Sequence, residues 1–197
     1  MASPPDIGVA KSALRRRGLA RRRERPATER ATATAAVTTA LLEGLAGAAV
    51  IAAFTPDETE PGHGLLPAAY SRLGARVLLP VVPAEGKALR WAVGTSRLVP
   101  GRFGLLEPVG PRLGPTAIGT ADVVVVPALA VARDGARLGR GGGYYDRALR
   151  HVRPGALLVA VVFDDELVDE LPVEAHDRAV TAVVTPSGGW QSLGPGL

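Results

Sequence analysis

The amino-acid sequence predicts an α/β protein with a mostly parallel sheet. Short runs at residues 48–54, 122–127 and 157–163 are apolar on both faces, as strands covered from both sides must be. Helix-length segments separate them, and strand–helix alternation is the pattern of parallel sheets. The 197 residues, 47% hydrophobic and 21% charged, are enough for one domain with a sizeable core. A single domain is expected over residues 1–188, with 189–197 as a flexible tail.

Good helix formers fill residues 9–24, and Pro26 ends them. Thr28 and Glu29 open a second helix, in which Val37, Leu41 and Leu45 make a stripe before Gly44 and Gly47 close it. The run at 48–54 is a buried strand stopped by Pro56. Residues 65–73 form a helix ended by Gly74, and 76–79 a strand ended by Pro80. From 82 to 119, proline and glycine allow only short strands and loops. Residues 122–127 are the clearest central strand. Tyr144 to His151 is a helix, 157–163 a strand, 166–171 a short helix and 179–185 the last strand, beyond which the chain is expected to fray.

The absence of cysteine excludes a disulfide scaffold, thiolate catalysis and thiolate metal sites. His63, His151 and His176 are too dispersed for an all-histidine metal site. No apolar run approaches the ~20 residues of a membrane helix, and the N-terminus lacks the apolar core of a secretory signal. A cytoplasmic location without membrane contact is expected. The net charge of +4 is uneven: residues 1–30 hold nine Lys/Arg against three Asp/Glu, and the remainder fourteen against sixteen. The triplets Arg15–Arg17 and Arg21–Arg23 suit either a solvated helix face or a nucleic-acid arm. No recognition motif accompanies them, so no obligatory nucleic-acid partner is expected.

Chemistry concentrates in Arg137-Leu138-Gly139-Arg140-Gly141-Gly142-Gly143-Tyr144-Tyr145-Asp146, between a strand and a helix. Ligands of open α/β sheets bind beyond the carboxyl ends of strands. Glycines let backbone N–H groups turn toward an anion, the next helix adds its N-terminus, and Arg137 and Arg140 supply charge-assisted hydrogen bonds. Asp146 suits Mg²⁺, which is commonly held by carboxylates together with phosphates. The dinucleotide fingerprint fails at Tyr144, and a P-loop fails throughout 144–146.

The decapeptide, preceded by Val126-Pro127-Ala128-Leu129-Ala130-Val131, resembles the signature of the 5-formyltetrahydrofolate cyclo-ligases, with Ala128 and Val131 departing from the usual glycine and aromatic. Further similarities extend over residues 11–185. Lys11-Ser12-Ala13-Leu14-Arg15 resembles the family's K-x-x-L-R, whose two cations share a helix face. Phe54 to Glu60 resembles a segment whose glutamate binds folate, although Asp57 and Glu58 compete with Glu60 for that role. Pro172 followed by His176-Asp177 resembles a third motif, with Thr181 in place of its later aspartate and Glu166 where a preceding motif has glutamine. The acidic run 164–170 otherwise reads as a solvated helix, and Phe103 and Trp91 as pocket or core.

The resemblance implies a three-layer α/β/α sandwich of the sugar-isomerase and CoA-transferase-like kind. It implies ATP-dependent conversion of 5-formyltetrahydrofolate to 5,10-methenyltetrahydrofolate, by a monomer or homodimer. ATP would be bound by Lys11, Ser12, Ala13, Leu14, Arg15, Arg137, Leu138, Gly139, Arg140, Gly141, Gly142, Gly143, Tyr144 and Tyr145. The folate would meet Arg15, Thr55, Glu60, Arg140, the glycines 141–143 and Tyr144. Arg140 and Tyr144 would be catalytic, with Mg²⁺ on Asp146 and Asp177. Another ATP- or phosphosugar-dependent enzyme on the same scaffold is the competing expectation.

Overall fold

Each strand of the central sheet carries two cores, because successive side chains point to opposite faces. The structure, a computed structural model, describes residues 6–94, 97–174 and 177–194. In chain order its elements are α1 (Ile7–Glu24), α2 (Ala27–Gly44), β1 (Val50–Ala52), α3 (Leu66–Ala69), β2 (Arg76–Val81), β3 (Arg90–Val93), β4 (Leu98–Pro100) and β5 (Leu106–Pro108). They continue with β6 (Val123–Pro127), β7 (Ala130–Ala132), β8 (Arg137–Leu138), α4 (Tyr144–Ala148), β9 (Leu157–Val161), β10 (Leu167–Val168), β11 (Ala182–Thr185) and β12 (Gly189–Ser192).

The main sheet has the order β12-β11-β9-β6-β1-β2-β3. Its five inner strands run parallel, and the edge strands β3 and β12 are antiparallel to their neighbours. On one face Ile51, Val125 and Val161 pack with Val37 and Leu41 of α2, with Leu45 just beyond its end and with Leu66 of α3. On the other face Ala52, Val124 and Leu158 pack with Ile118, Leu149 and Trp91. The expected mixed α/β architecture around a mostly parallel sheet is therefore present, and Trp91 belongs to the core. Helix α1 lies apart, with Leu14 and Leu19 against Leu129 and Leu138 beside the small sheet β10-β7-β8.

Three details differ from the sequence expectations. Strand β2 runs through Pro80 instead of stopping at it. Its neighbour β1 pairs only as far as Leu78, so no hydrogen bond on that side needs the missing N–H. Residues 166–171 are not a helix: a 3₁₀ turn at Asp164–Glu166 leads into β10, whose Leu167 and Val168 pair with Val131 and Ala132. The expected tail supplies an edge strand, with Val184 opposite Trp190. A Cβ on Gly44 would fall on the Trp190 ring, so only glycine lets α2 approach this strand so closely.

Candidate functional site

Strand order reverses between β1 and β6, since β2 follows β1 on one side and β9 follows β6 on the other. The carboxyl ends of those two strands diverge, which is where open α/β sheets form ligand crevices. A cavity of about 340 Å³ lies there. Phe54 and Thr55 beyond β1, Pro80 and Val82 at β2, and Pro127 and Ala128 at β6 form its base. The segment 139–146 closes one side, with Arg137 beneath it, and Asp57, Glu60, Phe103 and Leu105 form the other.

The glycine segment is shaped by backbone conformation. Gly141 and Gly143 have φ of +87° and +72°, which side chains with a Cβ rarely adopt. A Cβ on Gly141 would also approach the Arg15 guanidinium to 3.2 Å. Arg15 Nε donates to the Gly139 carbonyl at 3.0 Å, fastening α1 to this segment. Arg137 donates to the Pro127 carbonyl at 3.2 Å and to Asp146 Oδ1 at 2.6 Å. Helix α4 has only five residues before it tightens into a 3₁₀ turn, so arginines outweigh its dipole as anion donors.

Arg140 points across the cavity. It pairs with Asp57, lies 3.2 Å from Glu60 Oε1 and reaches Thr59 Oγ1 at 3.4 Å. Burial raises the Asp57 carboxyl, but bonds from Thr59 and the Arg140 charge outweigh it and leave Asp57 below its usual range. Burial and the neighbouring Asp57 charge push Glu60 above the usual range, against Arg140, a bond from the Asp57 N–H and Arg22. Two adjacent carboxyls are thus driven apart, an arrangement typical of ligand and proton handling. Of the three acids considered, Glu60 is buried with its carboxylate between two guanidiniums, Asp57 shares Arg140 with it, and Glu58 is exposed. Thr55 donates to the Leu106 carbonyl at 2.8 Å and so ties the β4–β5 hairpin to the cavity.

Phe103 sits at the cavity mouth, 69% exposed and edge-on to Tyr144 at 6.3 Å between ring centroids. Its φ of +58° is the one left-handed value among described non-glycine residues. Tyr145 is turned inward, and its hydroxyl has no hydrogen-bond partner among the described residues. Burial raises that hydroxyl above its usual range, with the Glu60 charge adding to the effect.

Lys11 and Asp177 come together elsewhere than expected. Lys11 Nζ is 2.5 Å from Asp177 and 2.7 Å from Glu174. Burial opposes the ammonium, but these two acids outweigh it and hold Lys11 above its ordinary value. Lys11 is therefore a buried partner of Glu174 and Asp177 and does not line the cavity. Ser12 is exposed, and Leu14 packs toward Leu129 and Leu138. His176 lies outside the described residues. Among the described residues no three His, Asp or Glu side chains gather into a metal cluster. The donor set fits a magnesium ion that arrives with phosphates, because Asp146 lines the cavity and only its Oδ1 is held by Arg137.

Sequence reasoning missed Arg22 and Glu166. Arg22, expected on an exposed triplet, is fully buried, and Glu166, expected on a solvated helix, is 1% exposed. Their side chains form a two-point pair at 2.7 and 2.6 Å, while Glu166 also accepts from the Phe163 N–H at 3.0 Å. The signal was available: Lys11, Arg15, Gly18 and Arg22 recur at intervals of four, three and four, a single helix face. The buried stripe of α1 is the polar one.

A sequence model of the 5-formyltetrahydrofolate cyclo-ligase family matches residues 7–186. The chain is 51% identical to the 5-formyltetrahydrofolate cyclo-ligase of Mycolicibacterium smegmatis over 148 residues, 73% of this chain and 76% of that one. It is 37% identical to the Escherichia coli enzyme of the same name over 126 residues, 61% and 68% of the two chains. The solved 5,10-methenyltetrahydrofolate synthetase of Aquifex aeolicus superposes with a TM-score of 0.73 at 29% identity, covering 95% and 94%. The synthetase from Mycoplasma pneumoniae shares the fold, with a TM-score of 0.69 at 19% identity and coverage of 88% and 96%.

Proposed function

We propose a residue-level mechanism from this premise: the chain belongs to the 5-formyltetrahydrofolate cyclo-ligase family. It is a ligase that uses ATP to convert 5-formyltetrahydrofolate to 5,10-methenyltetrahydrofolate, releasing ADP and phosphate. One observation carries the assignment of roles. A glycine segment suited to phosphates and a buried carboxylate suited to a pterin face one cavity, with Arg140 spanning them.

A formamide oxygen is a poor leaving group. Attack of that oxygen on the γ-phosphorus of ATP expels ADP and gives an N5-iminium phosphate. N10 then attacks the formyl carbon and loses its proton, and phosphate departs with the former formyl oxygen. Such a sequence needs positioning and charge neutralisation more than a protein nucleophile. Arg137, Arg140 and the N–H groups of residues 139–143 bind the phosphates, and Arg15 holds that segment in place. Glu60 accepts the paired N–H donors of the pterin, whose ring meets Tyr144 and Phe103 at the cavity mouth. Arg140 serves the phosphoryl group in transit, and Tyr144 closes the reacting centre. Magnesium would be held by Asp146, which lines the cavity, with Asp177, held by Lys11, as the second carboxylate that the family resemblance implies, and would supply further neutralisation of the phosphates. Lys11 acts on the nucleotide side through Asp177.

The test is absorbance of the methenyl chromophore on mixing purified protein, Mg-ATP and 5-formyltetrahydrofolate. The reading requires an increase that depends on both substrates; folded protein that gives none refutes it.

A further inference from the structure

Behind Glu60 lies a cation that the mechanism above does not use. Arg22 projects from α1 with no exposed surface. Its Nε and Nη2 bind Glu166, and Nη2 also donates to the Ala128 carbonyl. Its third nitrogen, Nη1, has no hydrogen-bond partner among the described residues and lies 3.7 Å from Glu60 Oε1. On the opposite side, the same Oε1 faces Arg140 Nη2 at 3.2 Å. The other oxygen, Oε2, accepts from the Asp57 N–H at 3.0 Å.

The two cations around Glu60 are held very differently. The Arg140 side chain is 42% exposed, stands at the mouth and belongs to the phosphate-binding segment. A nucleotide on that segment competes with Asp57 and Glu60 for its guanidinium. Arg22 is sealed in by the two bonds it donates to Glu166 and the one it donates to a backbone carbonyl, so it stays. A buried carboxylate without a counter-charge takes up a proton.

We propose that Arg22 is a positioning residue for Glu60, a fixed interior cation that keeps this carboxylate charged and turned toward the folate when Arg140 moves to the nucleotide. The inference rests on the reading of Glu60 as the folate carboxylate. The groups facing Glu60 are Asp57 from its own loop, Arg140 and Tyr145 from the glycine segment and α4, and Arg22 from α1, with Glu166 behind it. Burial and Asp57 favour the protonated carboxyl of Glu60, and the two arginines oppose them.

The experiment is titration of the protein with 5-formyltetrahydrofolate across pH in the presence of a saturating non-hydrolysable ATP analogue. In the wild type, affinity falls on the acid side as Glu60 takes up a proton. Arg22→Gln/Glu166→Gln removes both charges and keeps hydrogen-bonding groups in place. Its acid-side midpoint should rise by about 1 pH unit or more, the scale on which a nearby opposite charge shifts a carboxyl. Glu166→Gln alone leaves Arg22 less neutralised, so its midpoint should fall. Opposite shifts cannot come from structural loosening, which weakens binding alike at every pH. Should the double variant not fold, Glu166→Gln is read against Arg22→Lys: the midpoint of Glu166→Gln should fall while that of Arg22→Lys, which keeps the cation, stays near the wild type, and a Glu166→Gln midpoint that does not move counts against Arg22. A uniform loss, or unchanged midpoints, overturns the role of Arg22. Glu60→Gln, titrated alongside, should lose the pH dependence. If it keeps the wild-type profile, Glu60 is not the folate carboxylate and the inference fails with that reading. If it loses the dependence while the other midpoints stay fixed, only Arg22 is removed.

Discussion

Arg22 and Glu166 form an ion pair in which neither side chain exceeds 1% exposure, joining the first helix to the turn after β9 across 144 residues of sequence. Phe163 covers the pair, with the Arg22 guanidinium 5.8 Å and the Arg25 guanidinium 4.1 Å from its ring centroid. Burial opposes the Arg22 charge, but bonding to Glu166 and the charges of Glu166, Glu60 and Asp57 outweigh it. Breaking such a pair leaves a charge stranded in the interior. Arg22→Met should therefore lower stability by about 3–5 kcal/mol, and Arg22→Met/Glu166→Met by much less, because no lone charge remains. Urea unfolding of both variants measures the difference.

Asp146→Asn and Asp177→Asn should each lower turnover more than tenfold, with partial relief at high Mg²⁺. They should differ in stability. Asp177→Asn also weakens the partner of buried Lys11, whereas Asp146 is 35% exposed against Arg137. Steady-state rates across magnesium concentrations, with thermal unfolding of both, check the two statements. Normal turnover by either variant at all magnesium concentrations removes that residue as a ligand.

The α/β alternation and the glycine segment were legible because each depends on local pattern, apolar runs and clustered glycine; Glu60 came from the family resemblance, with Asp57 and Glu58 competing in the same segment. Arg22 was not, because Arg21, Arg22 and Arg23 look alike in sequence and only the packing direction of α1 tells them apart. Apolar periodicity, the usual guide, fails on a helix whose buried residues are Lys11, Gly18 and Arg22. Glu166 was hidden for the same reason within 164–166, where Asp164 serves Ser187, Asp165 serves Arg25 and Glu166 turns inward. Charge pairing over long sequence separations is invisible to a local reading.

Lys11→Met should weaken ATP binding and lower stability together, since it removes the cation that Asp177 and Glu174 share. Truncating a charged hydrogen bond of this kind costs about 1.5–3 kcal/mol. Arg16→Ala, exposed on the same helix, should change either quantity by no more than about 1 kcal/mol. Calorimetric titration with Mg-ATP and thermal unfolding separate the two variants.

Phe103 spends left-handed backbone on a mostly exposed ring, an arrangement expected of a ligand-facing residue. Phe103→Gly removes both the strain and the ring. Stability should stay within about 1 kcal/mol, as relief of strain offsets the entropy of glycine. The KM for 5-formyltetrahydrofolate should rise several-fold, the equivalent of about 0.5–1.5 kcal/mol of aromatic contact. An unchanged KM would place the ring outside the site.

Asp164 gives a pH signature independent of the cavity. Burial raises its carboxyl, but bonds from the Ser187 N–H and hydroxyl, a bond from Thr185 and the Arg25 charge outweigh burial and hold it below its usual range. A depressed carboxyl stabilises the fold above its unfolded value, and the contribution is lost as pH falls through the folded one. Asp164→Ala should therefore cost about 1 kcal/mol at pH 7. That difference from the wild type should shrink below the ordinary aspartate range in unfolding titrations.

In the mechanism proposed above, the formyl oxygen is phosphorylated in a cavity shared by nucleotide and folate. Turnover of substrate carrying ¹⁸O in the formyl group tests it most directly, with the released phosphate examined by mass spectrometry. Each phosphate released should carry one ¹⁸O. Unlabelled phosphate, formed while the methenyl product accumulates, would contradict it.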